Sequence, residues 1–185
     1  VRSLAWVPLV ALLVACAPSV VPTVPSVVLH GTDGATLPLD TALREHPVTV
    51  ITFFSAHCPC QRAHDARLRA LIAKDAPLGA GFLMVDSEES ATAASDADES
   101  RERGYPIWLD DAGKLARALD AEYATYSVVV DSTGNVLYRG GFDADTTHLR
   151  DDSPHFLADA IDDALAKRPV RRPEAKALGC TLQVK

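Results

Sequence analysis

Residues 48–55 read VTVITFFS and residues 57–64 read HCPCQRAH. The first run is β-branched and aromatic without a charge, the pattern of a strand buried on both faces of a sheet. The second begins a helix, because Pro59 suits the first helical turn, where its missing N–H costs nothing. Two thiols therefore sit at a strand-to-helix junction. A cysteine there meets the partial positive charge and unpaired amides of the helix N-terminus, and both favour thiolate over thiol. Cys58 occupies that position, with Cys60 in the same turn and His57 beside it. His57 and Pro59 are the neighbours expected to tune the thiolate. A disulfide between such close thiols would be strained, exposed and oxidising.

The rest of the chain alternates apolar runs with helical patterns, which points to an α/β layered domain. SVVLHGTDGATLPLD reads as two short strands around a glycine-containing turn, and a helix is expected over about residues 59–74. GFLMVDS is a second buried strand. EESATAASDADESRERG is polar and has no periodicity that decides between helix and loop. IWLDD follows, then GKLARALDAEY as a short amphipathic helix. SVVVD, STGN and VLYRG form a hairpin in which Gly134 supplies a positive φ. SPHFLADAIDDALAKR closes the domain as a helix, with Ser153 expected as N-cap and Pro154 as first residue.

Of 185 residues, 18 are Lys or Arg and 25 are Asp or Glu, a net charge of −7. The basic residues are scattered except in KRPVRRPEAK, so a nucleic-acid partner is not expected, since phosphate neutralisation needs a basic stripe. The cations at 167, 168, 171 and 172 suit a solvated helix end.

The N-terminus has Arg2 followed by an apolar stretch of about a dozen residues, too short to span a bilayer as a helix. It reads as a signal peptide over residues 1–16. Leu13-Val14-Ala15-Cys16 resembles the bacterial lipobox, which implies lipidation of Cys16 and a membrane partner through that anchor. Acyl chains supply ~0.8 kcal/mol per buried methylene, enough for lasting attachment. APSVVPTVPS, residues 17–26, suits an extended tether because its prolines oppose helix. The expected organisation is then a domain over residues 27–168 and a tail over 169–185 carrying Cys180. The expected location is the bacterial cell envelope, facing the periplasm or exterior, where disulfides persist.

The order strand, FFSAHCPCQ, helix, strand, helix, and the hairpin VVVDSTGNVLYRGGFD resembles the thioredoxin-like superfamily, in its redoxin or peroxiredoxin-like branch (AhpC/TSA type). The resemblance covers about residues 27–168 and extends to the Pro-rich stretch ending in Gly-Cys, RRPEAKALGC. It implies a central mixed β-sheet flanked by helices, with Cys58 as nucleophile. Two positions depart from the superfamily pattern. Gln61 stands where thioredoxins place the second cysteine, so Cys60 is one residue early. Thr125-Tyr126 stands where the superfamily has a Thr-Pro dipeptide with a cis proline; a non-proline cis bond costs ~3 kcal/mol, so Tyr126 is expected trans.

The expected activity is disulfide reduction, exchange or isomerisation at Cys58, with protein thiols and disulfides as partners, an electron donor, and no cofactor. Cys60 or Cys180 would resolve the mixed disulfide. Cys180 is the odd thiol left over in an oxidising compartment, and a structural role for it weighs equally. Three other readings stand beside this one. A copper or zinc carrier would use Cys58 and Cys60 with His57 or His64, the latter one turn beyond Cys60. His64 is otherwise expected to be a solvent-exposed helix residue. A peroxidase would need Ser55 and Arg139 to polarise a peroxide near Cys58. A non-catalytic thioredoxin-like scaffold is the third.

Overall fold

The computed structural model describes residues 22–184. The expected signal peptide, Cys16 and the first part of the expected tether lie outside the described residues.

Seven strands form one mixed sheet in the order β2-β1-β5-β4-β3-β6-β7. Its centre is β3 (Val48–Phe54), every residue of which is buried, as its uncharged sequence requires. β3 runs parallel to β4 (Ala80–Asp86) and antiparallel to β6 (Ser127–Asp131). β4 continues in parallel to β5 (Ile107–Asp110), beyond which the antiparallel pair β1 (Val28–Gly31) and β2 (Thr36–Pro38) closes one edge. β7 (Val136–Gly140) forms the other edge by the expected hairpin, with Gly134 at φ 91°.

Helices cover both faces. One apolar layer gathers Leu39, Leu43, Ile51, Phe53, Val85, Leu115 and Val128, together with Cys58 and Cys60. It lies under α1 (Leu39–Glu45) and α4 (Lys114–Ala118), the second of which is held at its start by the Asp110 carboxylate accepting from the Leu115 and Ala116 amides. The other layer, around Phe54, Leu68, Tyr138, Leu157 and Ile161, contains residues of α2 (Pro59–Asp75) and α5 (Phe156–Leu165).

Three elements differ from expectation or resolve it. The polar stretch after β4 is helical, α3 (Ala93–Arg103): Thr92 and Ser95 form a reciprocal capping box, and Gly104 ends the helix in the left-handed region. α1 goes beyond the expected elements. The last helix begins two residues later than expected, with His155 rather than Ser153 at the N-cap and Pro154 outside it. Ser153 is instead drawn into the preceding loop, where its amide donates to the Arg150 carbonyl at 3.4 Å.

Both flanking segments pack on the sheet. Val24 N–H donates to Gly134 O at 3.0 Å and Val136 N–H to Pro22 O at 2.8 Å, so the stretch expected as tether is already paired there. In the tail, Arg139 N–H donates to Pro173 O and Ala175 N–H to Arg139 O, continuing the sheet past β7. The tail then crosses toward the junction of β3 and α2.

Candidate functional site

Cys58 is the N-cap residue of α2, with extended backbone (φ −84°, ψ 113°) and Pro59 as the first helical residue. No side chain caps this end. The helix start therefore presents its positive end at Cys58 without a competing oxygen. The Cys58 amide is tied to the Ser55 carbonyl at 3.3 Å, which fixes the chain as it leaves β3. Cys58 is 1% exposed, Cys60 is buried, and His57 and Pro59 face solvent.

Cys180 arrives from 122 residues away: its backbone N–H donates to Cys58 Sγ at 3.3 Å. The three cysteines are free thiols that contact one another. Burial raises the Cys60 thiol, and the adjacent Cys58 sulfur raises it further. Burial likewise pushes Cys180 up to about 12, reinforced by its hydrogen bond to Cys58. Both neighbours therefore remain protonated donors at neutral pH. Cys58 Sγ faces the helix N-terminus, a backbone N–H and the two neighbouring thiols.

The tail is held as a strand. Ala124 N–H donates to Cys180 O at 2.8 Å, Leu182 N–H to Glu122 O at 2.9 Å, and Tyr123 bridges Thr181 in antiparallel sense. On its other side Glu89 N–H donates to Gln183 O at 2.7 Å. Thr181 and Gln183 are exposed while Leu182 is buried against the layer that holds Cys58. The segment it pairs with ends in Thr125, whose φ of 73° is left-handed, an unusual state for a β-branched residue. Thr125 N–H donates to Phe53 O and its hydroxyl to Leu178 O, so this turn is tied to both β3 and the tail. Tyr126 is trans, as expected, since no described peptide bond is cis.

His64 is a correction. It is 1% exposed rather than a surface residue. One ring nitrogen contacts the Cys60 carbonyl at 2.7 Å and the other the Asp143 carboxylate at 3.0 Å. Burial pushes its pKa down, but the Asp143 and Cys60 contacts outweigh this and leave it raised. Arg67 completes the network by pairing with Asp143 and Asp145. With both ring nitrogens engaged, His64 has none to share with the thiols. Among the described residues no cluster of three His, Cys, Asp or Glu is arranged to hold a metal. Of the residues of the copper or zinc reading, His64 is thus turned to Cys60 O and Asp143. The peroxidase pair also points elsewhere: Ser55 Oγ donates to Glu88 at 2.9 Å and Arg139 pairs with Glu174.

A pair of buried acids lies next to the site. Asp86 ends β4 beside Phe54 of β3 and hydrogen-bonds Asp96 of α3. Burial, with the charges of Asp96 and Glu88, pushes Asp86 up to about 8, and burial pushes Asp96 up to about 6. The Glu88 amide donates to Asp86 at 2.8 Å. The turn that holds the outer side of the tail is thus seated on this pair. A lone acid closing the uncharged run of β4 was the visible signal for Asp86. Asp96, inside a polar stretch, had none.

Comparison with known proteins agrees with this architecture. The Redoxin family matches residues 20–153. No curated protein matches. A solved structure of an uncharacterized conserved protein from Geobacillus kaustophilus superposes with a TM-score of 0.81 at 23% identity, covering 89% of this chain and 92% of that one. A thiol:disulfide interchange protein of the thioredoxin family from Chlorobium tepidum gives 0.60 at 18% identity, covering 80% and 99%. An exposed lipoprotein thioredoxin from Streptococcus pneumoniae gives 0.55 at 19% identity, covering 77% and 99%. At these identities the structural likeness speaks for the fold, and the family match covers most of the chain. The Redoxin match spans most of the chain and the mixed sheet closed by the β6–β7 hairpin is the fold of its thioredoxin-like neighbours, and the chain belongs to that family.

Proposed function

We propose that the protein is a thiol-disulfide oxidoreductase in which Cys58 is the nucleophile and Cys180 the resolving cysteine. The observation that carries this reading is the contact of the Cys180 amide with Cys58 Sγ at 3.3 Å. It brings a tail thiol to a helix-cap thiol across the whole domain.

The chemistry runs in two exchanges. Cys58 thiolate attacks one sulfur of a client disulfide; a Cys58–client bond forms, the client S–S bond breaks, and the leaving thiolate takes a proton. Cys180 then loses its proton and attacks the Cys58 sulfur. The client leaves as a second thiol and the protein is left with a Cys58–Cys180 disulfide. An external dithiol donor returns it to the reduced state. Cys60, whose thiol donates to Cys58, stabilises the attacking thiolate, and exposed His57 and Pro59 border the approach.

The export signal and Cys16 favour an envelope location with a lipid anchor, and the pneumococcal lipoprotein thioredoxin is a structural neighbour named for such a location. Cys58→Ser is expected to abolish insulin reduction by dithiothreitol-recycled protein. Full activity in that variant would overturn the assignment of the nucleophile.

A further inference from the structure

The tail does more than deliver a thiol: it fills a groove. Between the 122–124 segment and the 88–89 turn, residues 180–184 lie as an added strand, bonded on one side through Ala124 and Glu122 and on the other through Glu89. Position 179 must be small, because a Cβ there would run into the Ala124 carbonyl oxygen. Position 182 is a buried leucine packed with the layer that contains Cys58, Ala121 and Ala124. Position 181 is exposed and free to vary. An open cavity of about 430 Å³ flanks this strand, lined by Ala121, Glu122 and Tyr123 on the domain and by Thr181, Leu182 and Val184 on the tail. The cavity borders the strand where Thr181 is exposed and Val184 half-buried.

We propose that the tail occupies, in cis, the docking groove for an extended cysteine-bearing polypeptide of the pattern small residue, Cys, any residue, aliphatic residue. This rests on the assignment of Cys58 as nucleophile and names the client that assignment leaves open. A client strand takes the tail's place by the same backbone hydrogen bonds and seats its own sulfur against Cys58 Sγ. Cys58 attacks that sulfur, the client S–S bond breaks, and its outer sulfur leaves as a thiol. Return of the tail brings Cys180 back to Cys58, where its attack releases the client thiol and forms the Cys58–Cys180 disulfide. Docking and resolution thus alternate in one groove, so the tail both competes with clients and ejects them.

The test uses the full chain carrying Cys180→Ser, with and without Gly179→Val to unseat the tail. Leu182→Asp serves as a second unseating change should the valine variant fold poorly. The probe is the peptide ALGCTLQV, activated as a mixed disulfide with 2-nitro-5-thiobenzoate, beside the peptides ALVCTLQV and ALGCTDQV. Release of the yellow thiol beyond that given by the same protein carrying Cys58→Ser reports attack by Cys58. The unseated protein should react about tenfold faster with the matched peptide than with either altered one, the effect of losing one or two backbone hydrogen bonds or their register. The tail-seated protein should be slower with the matched peptide by a similar factor. Equal rates for all three peptides, with normal release from the small symmetrical reagent dithiobis(nitrobenzoate), would overturn the groove and leave Cys58 as nucleophile. No release even from that reagent would overturn both.

Discussion

Replacing Asp86 by Asn should make the protein more stable, by an amount that grows with pH. The Asp86 carboxyl is 3% exposed, hydrogen-bonded to Asp96, and held protonated up to about pH 8 against an ordinary value of 3.8. Between those two values the folded state binds a proton that the unfolded chain has already released, so stability falls as pH rises through this window and levels off above it. Each pH unit costs about 1.4 kcal/mol, so between about pH 5 and pH 8 the loss is on the order of 4 kcal/mol. Asparagine is neutral throughout. Its carbonyl can still accept from the Glu88 amide, and its NH₂ can donate to Asp96. The variant should therefore match the parent to within ~2 kcal/mol near pH 5 and exceed it by several kcal/mol at pH 8. Urea unfolding of the reduced protein, followed by the fluorescence of Trp108 on β5, gives both values. A stability difference that is the same at pH 5 and pH 8 would refute a protonated Asp86.

Three further substitutions test the site. Asp143→Asn should lower the His64 pKa, because the carboxylate contact is what outweighs burial there; an imidazole titration by NMR that does not move would place the cause elsewhere. Leu182→Ala should destabilise by about 2 kcal/mol, the low end for a buried leucine, since it removes packing from a peripheral strand. The same change should speed alkylation of Cys58 by iodoacetamide, and an unchanged rate would show that the tail does not shield it. Thr125→Gly should leave stability unchanged or raise it by a few tenths of a kcal/mol, because a left-handed φ of 73° costs glycine nothing; a clear loss in denaturant midpoint would mean the hydroxyl bond to Leu178 matters more than the backbone.

What could be read in the chain was local. The β3 run, the proline that starts α2, the hairpin glycine and the cysteine between strand and helix each declare themselves within a few residues, and the sheet centre and the strand-to-helix junction followed from them. α1 was not visible because LDTALRE is a single short amphipathic piece whose helicity comes from burying Leu39, Ala42 and Leu43. Ser153-Pro154 carried a sound start signal that tertiary contacts overrode, since the loop before α5 claims Ser153 for Arg150. His64 was misplaced because its partner, Asp143, is 79 residues distant. The alternation of Thr181, Leu182, Gln183 and Val184 is a strand signal in plain view, but nothing local reveals that its partners are Glu122, Ala124 and Glu89.

The most direct test of the account is a disulfide map of the protein after oxidation by one equivalent of diamide. Tryptic peptides analysed by mass spectrometry should show the peptide containing Cys58 joined to the tail peptide containing Cys180, with Cys60 alkylated as a free thiol. A map with Cys180 free and Cys58 bonded to Cys60, or with no bond at Cys58 at all, would contradict the assignment of Cys180 as the resolving cysteine.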